Sequence, residues 1–285
     1  MKKILFPFTI HQKNQEAFIY AVKLARRTGA QLIMLNVYQL EVDKISSRES
    51  YNKLVREHWL LAYKEIVRFN NYFIANHARI QEDLQIRFDF RFIHGELKKE
   101  LHQIFDNEEI DLCVISLVDE REEDARLIRF MNKEILFRTA NSVLLVPGRM
   151  NYQKICNMAF IISEAETGEA AENFIKVTKL AQLLGADLHI VFSSLFKKEE
   201  QLHENPLYMK AGSMVGKDSG WTLRICDPKE INAATNSLIK ELNIDLLAFD
   251  EREPGIYDKL FHISSINEIL DQSLVPVLIH PLKAR

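Results

Sequence analysis

Ile110-Asp111-Leu112 recurs in this chain of 285 residues as Ile244-Asp245-Leu246, and Pro147, at the end of one apolar run, recurs as Pro281 at the end of another. Both pairs are separated by the same offset of 134 residues (110 to 244 and 147 to 281), so nothing is gained or lost between the two points. A repeat at a fixed offset indicates that one structural unit occurs twice. The chain is long enough for two units that each bury a core. The sequence therefore predicts two tandem domains.

Short apolar runs alternate with amphipathic helical stretches along the first half of the chain. The run 4–6, ended by Pro7, is typical of a strand that is buried on both faces of a parallel sheet. Gly29 stands where the next helix would end in a left-handed cap. Strands that alternate with helices imply right-handed crossovers and a mostly parallel α/β sheet. The predicted strands are 4–6, 32–37, 86–93, 111–118 and 142–146, and the predicted helices are 16–27, 53–79, 96–105 and 122–138.

The predicted helix at 53–79 is long and amphipathic. Trp59 and Tyr63 lie four residues apart on one of its faces, where they either join the core or mark a surface for a partner. The strand that follows, at 86–93, alternates phenylalanine with polar residues, as an edge strand does. The helix residues predicted to face the core recur at three- and four-residue steps: Leu54, Leu61, Ala62, Ile66, Phe69 and Phe73.

The second half repeats the same order of elements from about residue 158. Its first helix matches that of the first half at an offset of 156, so that Gly29-Ala30 becomes Gly185-Ala186. The offset then falls from 156 to 134, which means that 22 residues are missing between strands two and three. The segment 196–220, which contains Pro206 and several glycines, takes the place of the long helix and is predicted to be irregular. The predicted domains are 1–148 and 157–285, joined by a short polar hinge at 148–156.

The charge and the cysteine content exclude several classes of function. The net charge is −3, and basic residues are interleaved with acids, so neither nucleic acid nor an anionic membrane surface is expected as a partner. No apolar run approaches the roughly eighteen residues that a membrane span needs. The three cysteines, Cys113, Cys156 and Cys226, form no C-x-x-C pair, and the nine histidines form no H-x-x-x-H pair, so no disulfide framework and no metal site are expected. The expected compartment is the reducing cytoplasm.

Four short motifs occur in a characteristic order: KILFP at 3–7, the helix end from Leu24-Ala25 to Gly29-Ala30, His94-Gly95-Glu96, and VLLVP at 143–147. With their partial repetition in the second half, they resemble the universal stress protein (UspA-like) family over nearly the whole chain. The resemblance implies two flavodoxin-like, adenine-nucleotide-alpha-hydrolase-like domains, each with a five-stranded parallel sheet in the order 3-2-1-4-5 and helices on both faces. It also implies that the two domains pair through their fifth strands within one chain, and it is compatible with a homodimer.

Many members of that family bind ATP through an aspartate at the end of strand one and a pattern G-x-x-G-(nine residues)-G-(S/T) after strand four. Glycines are needed there because backbone N–H groups must approach the phosphate oxygens closely. This chain has Thr9 at the aspartate position and Ala165 at its counterpart in the second half, and acids dominate the first loop at 119–124. ATP binding in the family manner is therefore not expected, and no cofactor is predicted. The positions of the glycine pattern hold Ser116, Asp119, Arg129 and Phe130 in the first half and Asp250, Glu253, Ile263 and Ser264 in the second.

Any remaining ligand is expected at the carboxyl ends of the strands in the first half, because open α/β sheets bind ligands at such a switch point. The hydroxyl residues there either contact a ligand or satisfy nearby backbone groups, and His94 is either a solvated turn residue or a catalytic one. A cleft filled by the protein itself would have Phe8 or Phe130 as its plug. The predicted cleft residues are Thr9, Val37, Gly95 and Ser116.

Three functions are compatible with these observations. The first is a universal-stress-type protein that does not bind ATP and serves as a stress-response binding or scaffold module for an unknown protein partner or small molecule. The second is an ATP-binding universal stress protein with weak hydrolase or phosphotransfer activity. The third is a small-molecule sensor that uses the altered cleft. No Ser-His-Asp, Cys-His or paired-carboxylate arrangement can be placed, so no catalytic residue is predicted and the first, non-enzymatic function is expected.

Overall fold

Among the described residues, strands and helices alternate over 3–117 and again over 157–193, as the sequence predicts. The computed structural model describes residues 1–10, 15–40, 45–76, 86–117, 135, 141–148, 150–163, 168–193, 221–226, 237, 239–251 and 275–281. The chain divides into two units, Met1–Tyr152 and Gln153–Arg285. The boundary between them falls inside the segment 148–156, where the sequence predicts the hinge.

The first unit has five parallel strands in the order β3-β2-β1-β4-β5, which confirms the predicted order 3-2-1-4-5. The predicted helix at 122–138 lies outside the described residues, apart from Ile135, which is helical and buried. The described elements are β1 (Lys3–Pro7), α1 (Glu16–Thr28), β2 (Gln31–Tyr38), α2 (Arg48–Asn76), β3 (Phe88–His94), α3 (Leu97–Asn107), β4 (Leu112–Leu117) and β5 (Ser142–Pro147).

The second unit repeats this topology. Its strands are parallel and lie in the order β8-β7-β6-β9-β10, which is again 3-2-1-4-5 when they are counted from β6. The predicted irregular segment at 196–220 lies outside the described residues. The described elements are β6 (Asn157–Ser163), α4 (Gly168–Leu184), β7 (Asp187–Ser193), β8 (Trp221–Cys226), β9 (Leu246–Glu251) and β10 (Val277–Pro281).

The repeated Ile-Asp-Leu motif ties strand four to the start of strand one in each unit. Asp111 Oδ2 accepts hydrogen bonds from the backbone N–H groups of Lys2 and Lys3 at 2.6 and 3.0 Å. Asp245 Oδ2 accepts the equivalent bonds from Cys156 and Asn157 at 2.8 and 2.9 Å. A carboxylate oxygen can accept two donors at once, and these charge-assisted bonds stabilise backbone groups at the very beginning of the sheet. In both units, the aspartate of the motif therefore makes the same pair of hydrogen bonds to the backbone at the start of strand one.

Each unit also ends its first helix in the same way. Gly29 has φ 67° and Gly185 has φ 66°, the left-handed conformation in which a side chain is disfavoured. Beyond them, the N–H of Ala30 donates to the carbonyl of Ala25, and the N–H of Ala186 donates to that of Ala181, both at 2.9 Å. The left-handed cap predicted at Gly29 is confirmed, and its counterpart has the same geometry.

Aromatic side chains form the core between the first sheet and its helices α1 and α2. Phe69 of α2 is fully buried, and its ring centroid lies 5.4 Å from that of Phe18 and 5.9 Å from that of Phe6. Residues along β1 and β2 are buried at nearly every position, as expected of strands that helices cover on both faces. The prediction that Leu61 faces this core is wrong, since its side chain is 40% exposed. The buried face of α2 centres on Phe69, and Leu61 is rotated off that face.

Candidate functional site

The four predicted cleft residues lie at one edge of the first sheet, where β1 to β4 end. Thr9 follows β1 by two residues, Val37 and Ser116 are penultimate in β2 and β4, and Gly95 follows β3 directly. Thr9 and Ser116 are 6% and 2% exposed, so their hydroxyls lie inside the protein. The Gly95 N–H donates to the carbonyl of Tyr38 at 3.0 Å and thereby joins the ends of β3 and β2. That these residues bind a ligand stays a prediction.

The end of β1 is packed by the protein's own side chains. Phe8, one of the two predicted plugs, is 1% exposed, and its ring lies 6.0 Å from that of Phe69. Its carbonyl accepts a hydrogen bond from Asn36 Nδ2 at 3.0 Å, and its N–H donates to the carbonyl of Leu35 at 2.9 Å. The other predicted plug, Phe130, lies outside the described residues. The backbone at the end of β1 is thus already bonded to β2 and its side chain.

Asn36 is a buried polar residue that the sequence prediction did not identify. Its side chain is 2% exposed, and its Oδ1 is buried without a hydrogen-bond partner among the residues that the structure describes. An amide oxygen buried in this way costs on the order of 1–3 kcal/mol. Asn36 therefore adds a buried amide oxygen beside Val37, at the same edge as Thr9 and Ser116.

Two tyrosines and two histidines form a cluster where β2 and β3 end beneath α2. The rings of Tyr38 and His58 stack with centroids 4.1 Å apart, and the ring of His94 lies 5.5 Å from that of Tyr38. The hydroxyl of Tyr51 lies 3.3 Å from His94 Nδ1, within hydrogen-bonding distance. This contact fits both roles considered for His94, a solvated turn residue and a catalytic residue, because a histidine ring bonded to one tyrosine can serve in either.

Burial controls the ionisation of this cluster. Burial lowers the pKa of His58, and the nearby His94 lowers it further, so the neutral imidazole is favoured. Burial also raises the pKa of Tyr38, with Tyr51 as a second cause. The Nε2 atom of His58 is buried and has no hydrogen-bond partner in the described part of the chain. His58 and Tyr38 are therefore both neutral near pH 7, and their rings stack on each other.

A carboxylate occupies the space beside Gly95. A Cβ atom added to Gly95 would lie 2.6 Å from Glu100 Oε1, a side chain in the first turn of α3. Glycine is not required there for backbone conformation, since the left-handed glycines among the described residues are Gly29 and Gly185. An acid close to the end of β3 opposes a bound phosphate by like-charge repulsion.

The described residues at this edge do not assemble a nucleophile with a base. Cys113 of β4 is buried, and burial raises the pKa of its thiol far above the usual range, which suppresses the reactive thiolate. Within the described ranges, no group of three or more His, Cys, Asp or Glu side chains could hold a metal ion. No helix in the same ranges is long and apolar enough to cross a membrane.

Most positions of the family's glycine pattern cannot be placed in the structure. Ser116 is described and buried on β4, and Asp250 is described only as part of the backbone of β9. Six other positions lie outside the described residues: Asp119, Arg129, Phe130, Glu253, Ile263 and Ser264. Ala165, the counterpart of Thr9, lies outside them as well.

Sequence patterns predicted the edge of the sheet but missed most of its polar side chains. Asn36 looks like one residue of a buried strand, and the stacking partner of Tyr38 comes from a helix that begins ten residues later. One signal was present: Tyr51 and His58 are seven residues apart, two helical turns, and so share a face of α2.

Comparison with known proteins establishes the fold of the whole chain. No model of a protein family matches the sequence, and no curated protein sequence matches it. A universal stress protein from Archaeoglobus fulgidus is 14% identical with a TM-score of 0.59, covering 98% of this chain and 96% of that one. A protein from Pseudomonas aeruginosa provisionally assigned as a universal stress protein is 12% identical with a TM-score of 0.60, covering 99% and 93%.

A third similar structure belongs to a membrane transport protein. The cytoplasmic domain of a prokaryotic cation chloride cotransporter is 8% identical with a TM-score of 0.52, covering 98% of this chain and 94% of that domain. Identities this low establish the fold alone. The chain has the fold of universal stress proteins over both of its units.

Proposed function

We propose that this protein is a diverged universal-stress-type protein that does not bind ATP and acts as a cytoplasmic binding or scaffold module. The universal stress protein fold over nearly the full length of the chain supports the type. The absence of the aspartate and of the glycines from both halves of the sequence supports the loss of nucleotide binding.

The end of β1 is the observation that carries this proposal. A nucleotide base that is read at this position needs an acceptor such as aspartate and space beside the strand end. Thr9 is 6% exposed there and offers a neutral hydroxyl in place of a carboxylate, while Phe8 turns inward against Phe69 and its carbonyl is bonded to Asn36. A nucleotide would have to displace packed side chains and a buried hydrogen bond, both of which cost free energy. Output through a partner needs no such rearrangement.

A nucleotide titration tests the proposal and its ATP-binding alternative together. A ligand present at about 100 times its Kd stabilises the folded state by about 2.7 kcal/mol, which would raise the unfolding temperature by several degrees. We expect magnesium-ATP at millimolar concentration to raise it by less than about one degree. Magnesium with inorganic triphosphate at the same ionic strength is the control for non-specific anion effects. A micromolar Kd in calorimetry would contradict the proposal and favour the ATP-binding alternative.

Asn36 favours the small-molecule sensor as a second candidate function. Its Oδ1 is a buried acceptor without a partner in the described ranges, and the acid Glu100, beside Gly95 where β3 ends, selects for a neutral or cationic group. Native mass spectrometry of the purified protein would reveal such a ligand as a reproducible added mass. Ser116→Leu should remove that mass, whereas Ser142→Ala, at the amino end of β5, should retain it. If no mass is added, or if Ser116→Leu keeps it, the sensor function is wrong.

A further inference from the structure

The outer edge of the first sheet is a strand with an unusual surface. β3 lies at the end of the strand order, and its ladder in the described part of the chain is formed with β2. Phe88 and Phe90 are 37% and 45% exposed, and their rings stack 5.8 Å apart. Residues 86–94 contain no proline, which would interrupt pairing at an edge, and their charges alternate in sign through Arg87, Asp89 and Arg91. An edge of this kind is suited to pairing with a strand whose charges are complementary.

The backbone hydrogen bonds show which groups of β3 face outward. The N–H of Leu32 donates to the carbonyl of Arg87, and the N–H of Gly95 donates to that of Tyr38, so odd-numbered residues of β3 bond to β2. In a parallel pair the intervening residues direct their backbone groups to the opposite side. The N–H and C=O groups of Phe88, Phe90 and Phe92 therefore point to the free edge, six groups that a further strand could pair.

We propose that the free edge of β3 pairs antiparallel with β3 of a second copy of this chain, centred on Phe90. In that register Phe90 faces Phe90 of the second copy in a hydrogen-bonded pair, which is the geometry that its outward backbone groups require. Phe88 then faces Phe92 of the second copy. All six outward groups of each strand are satisfied, and aromatic cross-strand pairs stabilise one face of the ribbon.

Charge complementarity on the other face of the ribbon favours this register over the two adjacent ones. Asp89 lies directly opposite Arg91 of the second copy, in a non-hydrogen-bonded pair in which side chains approach most closely. Within one chain Arg91 Nη2 already contacts Asp89 Oδ2 at 2.7 Å, and Arg91 also pairs with Glu108 at the end of α3. These groups are thus ordered on one face before a second copy binds. A shift of the centre to Asp89 or Arg91 would place like charges opposite each other.

Helix α2 extends the aromatic surface next to β3. Trp59 and Tyr63 are 45% and 48% exposed and stack at 5.4 Å, so the sequence interpretation that places them in the core is wrong. Trp59 also lies 6.1 Å from Phe92, which connects the helix to the strand face. Tryptophan and tyrosine are enriched at protein interfaces because they bury large areas at a low entropic cost. The second copy therefore meets a continuous aromatic face rather than a bare strand.

Oligomeric state is the first test, and it uses the full chain. We expect sedimentation velocity to detect a dimer between about 1 and 100 µM and Phe90→Lys to make the protein monomeric, because a charge is then placed on the axis of the pair. Leu183→Lys, at an exposed apolar residue of α4 in the second unit, is the matched control and should remain dimeric. Circular dichroism would check that Phe90→Lys stays folded. A wild-type monomer over this range, or a dimer that persists in Phe90→Lys, would overturn the proposal.

A second test reports the register and does not depend on stability. In a Cys156→Ser, Cys226→Ser background, Phe90→Cys should form an interchain disulfide on oxidation, since the two residues meet at about 5.5 Å between Cα atoms. Phe88→Cys in the same background should not, because its two copies are separated by four residues of strand, about 13 Å. Cross-linking of Phe88→Cys but not of Phe90→Cys would show that the register is wrong.

Discussion

His280 is an imidazole that the second unit holds neutral. It lies on β10 and is 4% exposed, and burial lowers its pKa to about 3, with the ammonium of Lys176 on α4 as a second cause. In the unfolded chain a histidine has a pKa of about 6.5. Below that pH, His280 therefore binds a proton in the unfolded state but not in the folded state. The free energy of unfolding is therefore not reduced by His280 above about pH 6.5, and it decreases as the pH falls from there toward about 3.

The size of this effect follows from the two pKa values. Each pH unit between them costs about 1.4 kcal/mol, so at pH 5 the neutral His280 lowers the free energy of unfolding by about 2 kcal/mol relative to pH 7.5. A His280→Phe variant keeps a ring in the same place but has no proton to bind. We expect the free energy of unfolding of the variant, measured against that of the wild type, to rise by about 2 kcal/mol over this interval.

Urea denaturation followed by tryptophan fluorescence can make the measurement with a reporter in the second unit. The chain has two tryptophans, Trp59 in α2 and Trp221 in β8. In a Trp59→Phe background the signal comes from Trp221. His94→Gln, which removes an exposed histidine of the first unit, should leave the pH dependence of this signal unchanged. If wild type and His280→Phe lose stability in parallel between pH 7.5 and 5, the buried imidazole is not the cause and the reasoning fails.

Three further predictions concern the first unit: a buried hydrogen bond, a helix cap and the pairing of the fifth strand. Tyr72→Phe should lower the free energy of unfolding by about 1.5–3 kcal/mol, because the Tyr72 hydroxyl donates to buried Glu16 Oε1 at 2.6 Å. Tyr63→Phe, at an exposed residue, should change it little. Equal effects of the two substitutions in urea denaturation would count against this contact. Gly29→Ala should cost about 1 kcal/mol and Gly29→Asn less, because φ is 67°, and an alanine variant as stable as the wild type would contradict the cap. Deleting 157–285 in a Phe90→Lys background should leave a fragment that dimerises through β5 or becomes insoluble, as expected if fifth strands pair; a well-behaved monomer in sedimentation would argue against that pairing.

The parts of the fold that local physics dictates could be predicted from the sequence. Gly29 marks a helix end because few other residues adopt its φ, and buried parallel strands need continuous apolar runs such as 32–37. Counting the repeat fixed the number of units, since an offset of 134 residues without gaps leaves little freedom. The strand order required more, namely the resemblance to a known family, because alternation of strands and helices alone permits several orders.

The exposed face of β3 could not be predicted, because alternation identifies two faces without saying which is covered. The alternation of phenylalanine with polar residues left both faces open, and in the structure Phe88 and Phe90 are more exposed than Asp89 and Arg91. The polar face is half-buried because Arg91 pairs with Glu108 beyond the end of α3, a contact between residues 17 apart that no local pattern encodes. Asn36 escaped prediction for the same reason, since its partner is the carbonyl of Phe8, just beyond the end of the neighbouring strand.

The two edges of each sheet retain the repeat to different degrees. At the amino edge both units keep an aspartate that binds two backbone N–H groups, Asp111 in the first and Asp245 in the second. At the carboxyl edge the matched positions differ: when the two halves are aligned by sequence, Thr9 corresponds to Ala165 and Ser116 corresponds to Asp250. The amino edge has to be kept because any sheet of this topology needs its first backbone groups satisfied. The carboxyl edge needs its residues only if both units bind the same ligand. The divergence there, together with the packing of Phe8 and Asn36, is what we expect of two units if, as proposed, neither of them binds a nucleotide.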